Sequence, residues 1–280
     1  MKLTPSVFDI NFSETQTRIC RFIKEYVENA GAEGIVLGLS GGIDSGTVAA
    51  LSSLAVGGKN VSALMLPEEE NFSQKDIDDA KAVANQFQIE TSICDITDVT
   101  KSFYEQIPVF DQKDKLCKGN IKARTRMIYL YYYANKFNKI VCGSSDKSET
   151  MMGYFTKWGD AAADITPIMD LYKTQVRKLA LHMGIKKELA LKPSTPALWP
   201  EQMAETELGM KYETLDLILY GLERFMTTQE IADQLALEKS VVEAVKRRWL
   251  RNEHKRRMPV APKIGFRSVG TDFRLSRNMY

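Results

Sequence analysis

The stretch Gly34-Ile35-Val36-Leu37-Gly38-Leu39-Ser40-Gly41-Gly42-Ile43-Asp44-Ser45 decides the fold. Its apolar, β-branched run reads as a buried strand over residues 35–39, which breaks at glycines and gives way to the helix-like Thr47-Val48-Ala49-Ala50-Leu51. A strand that turns through glycines into a helix presents main-chain N–H groups at the positive end of the helix dipole, a geometry suited to phosphate. Adjacent glycines let the backbone come close to an anion because no Cβ intervenes. Ser40 and Ser45 add hydroxyl donors, and Asp44 has the right charge for a Mg²⁺ carried by phosphate. No lysine follows the second glycine, so the pattern is not the Gly-x-x-x-x-Gly-Lys-Ser/Thr loop. Gly38-Leu39-Ser40-Gly41-Gly42 also fits a Gly-x-Ser-x-Gly nucleophile elbow. An elbow needs a histidine, and the chain has only His182, inside an amphipathic helix pattern, and His254, inside a cationic cluster that opposes imidazolium.

Working outward, Ser13 with Gln16 predicts a capping box opening a helix whose face is Ile19, Phe22, Ile23, Tyr26 and Val27, closed by Gly31. Strands are expected at 61–66 and 90–94, the second more polar and nearer a sheet edge, with a helix between them opened by Ser73 and Asp76. A long helix over 121–137, with Met127, Ile128, Tyr131 and Tyr132 on its apolar face, leads to a strand at 139–142. Tyr131, Tyr132 and Tyr133 read as helix packing. Strands alternating with helices predict an α/β fold, a doubly wound parallel sheet with right-handed crossovers. Binding sites in such sheets lie at the carboxyl ends of the strands, which puts residues 40–45 and 143–149 on one rim. Beyond Pro193 the texture turns helical, at 214–223, 228–237 and 239–251. The parse is one domain over 1–280: a sheet core at about 12–200, a C-terminal helical extension at about 201–262 and a tail at 263–280.

A chain of 280 residues buries roughly three quarters of its unfolded surface, enough for such a core. Lys and Arg number 38 against 36 Asp and Glu, a net charge of +2, which excludes a polyelectrolyte binder as a whole. The cations concentrate in residues 246–257, where Glu253 is the lone acid. The four cysteines (Cys20, Cys94, Cys117, Cys142) form no Cys-x-x-Cys, and Cys20, Cys94 and Cys142 sit in apolar patterns as small buried thiols would. That usage argues against zinc and disulfides and for a reducing, cytoplasmic setting. No apolar run reaches spanning length and no signal segment opens the chain.

Ser40-Gly41-Gly42-Ile43-Asp44-Ser45 resembles the pyrophosphate loop of the N-type ATP pyrophosphatases, which split ATP between its α and β phosphates. Further blocks narrow the resemblance. Gly143-Ser144-Ser145-Asp146-Lys147-Ser148-Glu149, Gly153-Tyr154-Phe155-Thr156-Lys157-Trp158-Gly159-Asp160, Asp164-Ile165-Thr166-Pro167-Ile168 and Asp170-Leu171-Tyr172-Lys173-Thr174-Gln175-Val176-Arg177 are similar to the NAD synthetases in order and spacing. So are Gly119-Asn120-Ile121-Lys122-Ala123-Arg124-Thr125-Arg126-Met127, Leu198-Trp199-Pro200, Glu205-Thr206-Glu207-Leu208-Gly209 and His254-Lys255-Arg256. The resemblance runs from about residue 12 to 262 and includes no amidase region, so it points to the ammonia-dependent form.

That resemblance implies a Rossmann-like sheet of the adenine-nucleotide alpha-hydrolase type and a ligase. It implies that ATP adenylates the nicotinate carboxylate of deamido-NAD⁺, pyrophosphate leaves, and ammonia displaces AMP. Gly38, Leu39, Ser40, Gly41, Gly42, Ile43, Asp44 and Ser45 would then hold ATP together with Ser144, Lys173 and Thr195. Asp44 and Glu149 match the Mg²⁺ ligands, while Arg124, Lys157, Asp164, His254 and Lys255 match positions that bind the dinucleotide acid. Asp160 would sit by the nicotinate ring and orient or deprotonate incoming ammonium. A homodimer with the acid site across its two-fold interface, using the helix of residues 12–31, is also implied.

Each of these has a plainer reading: Lys173 and Arg177 as a solvated helix face, Glu149 as a carboxylate complementing its helix dipole, Arg124 and Arg126 as surface charges. The chain also departs from the family pattern. Gly159-Asp160-Ala161-Ala162 stands where glycine often follows the aspartate, and alanine there either forbids positive φ or adds a methyl near the ligand. Ser145-Asp146 replaces a more usual Gly-Asn pair. These changes touch the acceptor side, so a related adenylating amide ligase acting on a different carboxylic acid is the nearest alternative. From another class, residues 227–249 read like a helix-turn-helix with Ile231, Ala232 and Leu235 on the first helix and a basic second helix. A DNA-binding regulator would present residues 246–257 to phosphates, but its turn lacks glycine, and Glu238 and Glu243 oppose a groove.

Overall fold

The computed structural model describes residues 2–273; the end of the expected tail, 274–280, lies outside them. Four parallel strands form the centre: β1 (Gly34–Gly38), β2 (Val61–Met65), β3 (Glu90–Ile93) and β4 (Lys139–Val141), ordered β3-β2-β1-β4. Side chains of β1 alternate between the faces: Ile35 and Leu37 join one core and Val36 the other. Both faces are covered, so the central strands read as continuous apolar runs. Edge strand β3 is only partly buried, as its polarity predicts.

Helices α1 (Phe12–Asn29), α2 (Ile43–Val56) and α3 (Gln74–Gln86) pack on one face. The other face carries α4 (Thr97–Gln106) and α5 (Lys115–Lys136). After β4 come α6 (Lys147–Met152), α7 (Lys173–His182) and α8 (Lys187–Ala190), with α7 returning to pack on α1 and α2. The helical extension comprises α9 (Ala204–Leu208), α10 (Tyr212–Glu223), α11 (Thr228–Leu235), α12 (Lys239–Arg251) and α13 (Glu253–Arg256). Its core includes Tyr212, Leu215, Ile218, Leu219, Ile231, Val242 and Val245, and it takes in Leu3 and Phe8 from the chain's start.

Three expectations are corrected. Helix α1 is capped by Asn11, whose side chain accepts the Glu14 amide, not by Ser13. Helix α5 begins six residues before 121, capped by Asp114 accepting the Cys117 amide. Its face is also different: Ile128 and Tyr132 are exposed, while Lys118, Gly119, Lys122 and Ala123 are buried. Lys122 is fully buried because its Nζ donates to Glu68 and Glu70, each at 2.7 Å, and Lys118 also reaches Glu70. Tyr131 and Tyr133 do pack against the sheet. Of the cysteines, Cys142 is buried and Cys20 and Cys94 are partly so; all four are free thiols.

Chain order reverses between β1 and its neighbours: β2 lies on one side, β4 on the other. That switch point opens a crevice at the carboxyl ends of β1 and β4, where α/β sheets hold ligands.

Candidate functional site

The turn after β1 is held open by contacts of its own. Leu39 N–H donates to Leu64 O at 2.8 Å, extending the pairing with β2. Gly41 has φ +75°, and a Cβ there would lie 2.2 Å from the Asp76 carbonyl oxygen, so the glycine is required by the approach to α3. Ser45 Oγ donates to Gly42 O at 3.1 Å and accepts Ser40 N–H at 3.2 Å, with the two hydroxyls 3.1 Å apart. No side chain caps α2 at Gly42, which leaves its first amides to the crevice.

The crevice is a cavity of about 290 Å³. Gly38, Leu39, Ser40, Gly41, Gly42, Ile43, Asp44 and Ser45 line one side; Gly143, Ser144, Ser145 and Glu149, from the turn after β4, line another. Thr195 and Lys192 contribute from the loop after α8, and Gly159, Asp160 and Ala162 from the loop after α6. Thus both turns expected on one rim meet in one cavity.

Lys173 is not on the cavity wall. At the N-terminus of α7 it is fully buried, its Nζ 2.5 Å from Asp44 Oδ2, 2.8 Å from Glu149 Oε1 and 2.9 Å from Asp146 Oδ2. Burial alone would depress this ammonium; the carboxylates outweigh it and hold it well above the usual lysine range. Burial likewise pushes Glu149 well up and Asp146 up, against the pull of Lys173. The solvated-face reading of Lys173 is therefore wrong. Arg177, one turn on, is mostly buried and bonds Glu213 at 2.7 Å.

Three carboxyl groups share one buried ammonium, and Asp44 Oδ1 is buried without a hydrogen-bond partner. Among the described residues no three Cys, His, Asp or Glu side chains are arranged as a complete metal site. The unpartnered Asp44 Oδ1 suits Mg²⁺, which binds through one or two carboxylates plus substrate phosphates and keeps several waters. Asp44 and Glu149 fit that role.

Asp160 opens onto the cavity and stays exposed there, and loss of water around it raises its carboxyl although its Oδ1 accepts the Thr156 amide at 2.8 Å. Neither Ala161 nor Ala162 has positive φ; the strained position is Trp158, at +62°. The alanines therefore do not conflict with the backbone, and Ala162 adds a methyl to the cavity wall.

Arg124, Lys157, His254 and Lys255 come together beside this wall. Arg124 Nη2 donates to Lys157 O at 3.3 Å, Lys157 Nζ to His254 O at 2.7 Å, and Lys255 Nζ to Gly153 O at 2.6 Å. Burial lowers Lys255, and the Asp160 charge opposes that lowering. Asp164 stands apart, accepting Val141 N–H at 2.8 Å and Tyr131 O–H at 3.3 Å.

Sequence reasoning missed four side chains. Lys192 Nζ clamps Gly41 O at 3.0 Å and Asp76 and Asp79 at 2.6 Å each. Asp146 joins the Lys173 cluster, and buried Asp216 on α10 accepts Ser148 Oγ at 2.5 Å and the Thr174 amide at 2.9 Å. Arg126, whose plainer reading is a surface charge and to which the sequence assigns no role of its own, lines the cavity. The Ser145-Asp146 departure was the one visible signal for any of these.

The basic helices face inward more than a DNA reader requires. Arg248 donates to Glu207 O at 2.9 Å, and Arg256 to Met151 O at 2.7 Å and Trp249 O at 2.6 Å. These bonds tie α12 and α13 to α6 and α9. Ala236 makes the turn with φ +52° despite lacking glycine's freedom.

A switch-point cavity built from an uncapped helix N-terminus and two strand-end turns defines a nucleotide-binding α/β protein of the adenine-nucleotide alpha-hydrolase-like class. The family described as NAD synthase matches residues 15–259. The chain is 45% identical over 256 residues to the NH(3)-dependent NAD(+) synthetase of Methanocaldococcus jannaschii, covering 91% of this chain and 98% of that one. Identity to the enzyme of the same name from Aeropyrum pernix is 41%, with 92% of each chain covered. Among solved structures, an NMN synthetase from Francisella tularensis superposes with TM-score 0.81 at 33% identity, over 91% of this chain and all of that one. An NH3-dependent NAD synthetase from Campylobacter jejuni does so with TM-score 0.76 at 31% identity, at the same coverage. The chain belongs to the NAD synthase family.

Proposed function

We propose that this protein is a ligase that amidates deamido-NAD⁺ to NAD⁺ with ammonia, consuming ATP and releasing AMP and pyrophosphate. The observation that carries the reading is the single cavity shared by the turn after β1, the turn after β4 and Asp160. A carboxylate is a poor acyl donor because oxide would have to leave. Attack of the nicotinate carboxylate on the α-phosphorus breaks the bond to pyrophosphate and forms an acyl adenylate, and ammonia then expels AMP.

In this reading the first amides of α2, with Ser40, Ser45, Ser144 and Thr195, hold the triphosphate. Asp44 and Glu149 would hold a Mg²⁺, which supplies charge neutralisation on the phosphates. Lys173 fixes those two carboxylates before substrate arrives. Arg124, Lys157, His254 and Lys255 bind the acid, with Asp164 placed by its bonds to β4. Asp160, its carboxyl raised by partial desolvation at the cavity wall, orients ammonium and accepts its proton. No covalent enzyme intermediate is needed; positioning and electrostatics carry the reaction.

The enzyme works as a homodimer in the cytoplasm. Half-exposed Phe22 and Tyr26 on α1 offer an apolar face for a second copy, and four free thiols suit a reducing compartment. No described helix is long and apolar enough to cross a membrane.

The likeness to an NMN synthetase, together with the Ala162 methyl in the wall, favours one second reading: the nicotinate mononucleotide as the acid. Purified protein with ATP, Mg²⁺ and ammonium is offered each acid in turn, and products are resolved by chromatography. NAD⁺ with AMP is the expected result. NMN formed in preference establishes the second reading, and ADP in place of AMP overturns both.

A further inference from the structure

The chemistry proposed above brings two anions together, a carboxylate and a triphosphate, in a cavity whose walls already carry Asp44, Glu68, Asp76, Glu149 and Asp160. Against these acids the wall holds two cations, Lys192 and Arg126. Lys192 is spent: its three ammonium hydrogens meet Gly41 O, Asp76 and Asp79. Lys173, behind the wall, is spent on three carboxylates.

Arg126 is different. It projects from α5, and its Nε donates to Leu66 O at 3.1 Å, just past the end of β2. That single bond aims the planar fork, and Nη1 and Nη2 donate to nothing among the described residues. Glu68 and Asp160 are the carboxylates whose charge it feels most. The side chain thus stands between the strand end beside the nucleotide turn and the carboxylate on the acceptor wall. Arg124, two residues away, points outward to Lys157 O, so the two arginines of one helix serve different places. A guanidinium with its bidentate edge free, in a low-dielectric cleft, is suited to paired phosphoryl oxygens.

We infer that the free edge of Arg126 contacts the non-bridging oxygens of the α-phosphoryl group of ATP, where it stabilises the charge that accumulates as the acid carboxylate attacks. The inference rests on the adenylating reading of the cavity. It assigns a catalytic role to a residue for which the sequence offers no particular function.

The test isolates the first half-reaction, acid-dependent exchange of labelled pyrophosphate into ATP without ammonia. Arg126→Ala and Arg126→Lys are compared with the wild type by exchange kinetics, thermal unfolding and circular dichroism. Arg126→Ala is expected to lose about a hundredfold or more in maximal exchange rate, with the KM for ATP and for deamido-NAD⁺ each within about threefold. Millimolar guanidinium, below denaturing levels, is expected to restore part of the rate. Arg126→Lys, which keeps the charge and loses the fork, should fall at least tenfold with an unchanged unfolding midpoint, and it decides the matter if the alanine variant does not fold. Near-wild-type exchange in Arg126→Lys together with Arg126→Ala, or in Arg126→Lys alone if Arg126→Ala is unfolded, overturns the inference. So does a raised KM for deamido-NAD⁺ at full maximal rate, which would make Arg126 an acid-binding group. Absence of acid-dependent exchange in the wild type overturns the proposed function itself, so the two failures are distinguishable.

Discussion

Asp44 and Lys173 lie 129 positions apart and meet at 2.5 Å, so neither side chain's setting is legible locally. Replacing Asp44 by Asn keeps size and shape but removes charge from the site proposed to hold Mg²⁺ and phosphate. Turnover is expected to fall about a hundredfold or more, with an unaltered circular dichroism spectrum; near-normal pyrophosphate release would remove Asp44 from the metal site. Gly41→Ala makes a different point. The added Cβ meets the Asp76 carbonyl oxygen at 2.2 Å in a backbone of φ +75°, so urea unfolding should show a loss of more than about 2 kcal/mol. The glycine pair was legible as a close-approach signal, and on the side where a Cβ would stand Gly41 approaches α3. The plainer readings of Arg126 and Lys173, as solvated cations, fail because an isolated cation in a helix pattern shows nothing of its partners. What buries each of them comes from distant segments: Leu66 for one, residues 44, 146 and 149 for the other.

Among the elements, periodicity located all four strands within a residue or so and most of the longer helices within a few, α5 starting six residues early. It failed where burial is polar. The buried side of α5 contains Lys118 and Lys122, paired with Glu68 and Glu70, and no apolar pattern marks such a face. Helix α4 went unread because Thr97 and Thr100 supply its buried positions. Helices α6, α7 and α10 are joined by another polar device, Asp216, whose carboxylate accepts Ser148 Oγ while that hydroxyl accepts the Lys173 amide. Burial pushes Asp216 up to about 7, against the bonds from Ser148 and Thr174 that favour the anion. Its folded value exceeds the unfolded value of roughly 4, so the folded state keeps a proton that the unfolded chain has lost in between. This group's contribution to stability is therefore greatest below pH ~4, declines as pH rises to about 7, and is flat above. Asp216→Asn should abolish that slope. Urea titrations at pH 5 and pH 8 should show the wild type losing more stability between them than the variant, by on the order of a few kcal/mol; equal losses would refute the assignment.

At the scale of the whole molecule, two apolar cores flank the sheet and a third fills the helical extension. The resemblance conveyed the sheet and extension in outline but not the stitch between the chain's start and the extension. Phe8 packs on Tyr172 and Tyr220 with ring centroids 5.3 and 5.7 Å away, and Leu3 N–H donates to Gln234 Oε1 at 2.7 Å. Residues before 12 carry no helical period, which is why they went unread. Phe8→Ala is expected to cost about 3–5 kcal/mol, seen as a lower denaturant midpoint; a change under 1 kcal/mol would mean that the start of the chain is dispensable. Sedimentation is expected to show a dimer of this 31.7 kDa chain, and a fully active monomer would refute the two-fold site.

The ammonium of Lys173, seated among Asp44, Asp146 and Glu149, has a consequence for the life of the protein before it ever meets a nucleotide. A pocket of bare carboxylates would repel itself, and a newly made chain would have to wait for a mineral ion to finish folding. Here the polypeptide brings its own counter-ion, so the three acids are held together by the fold itself.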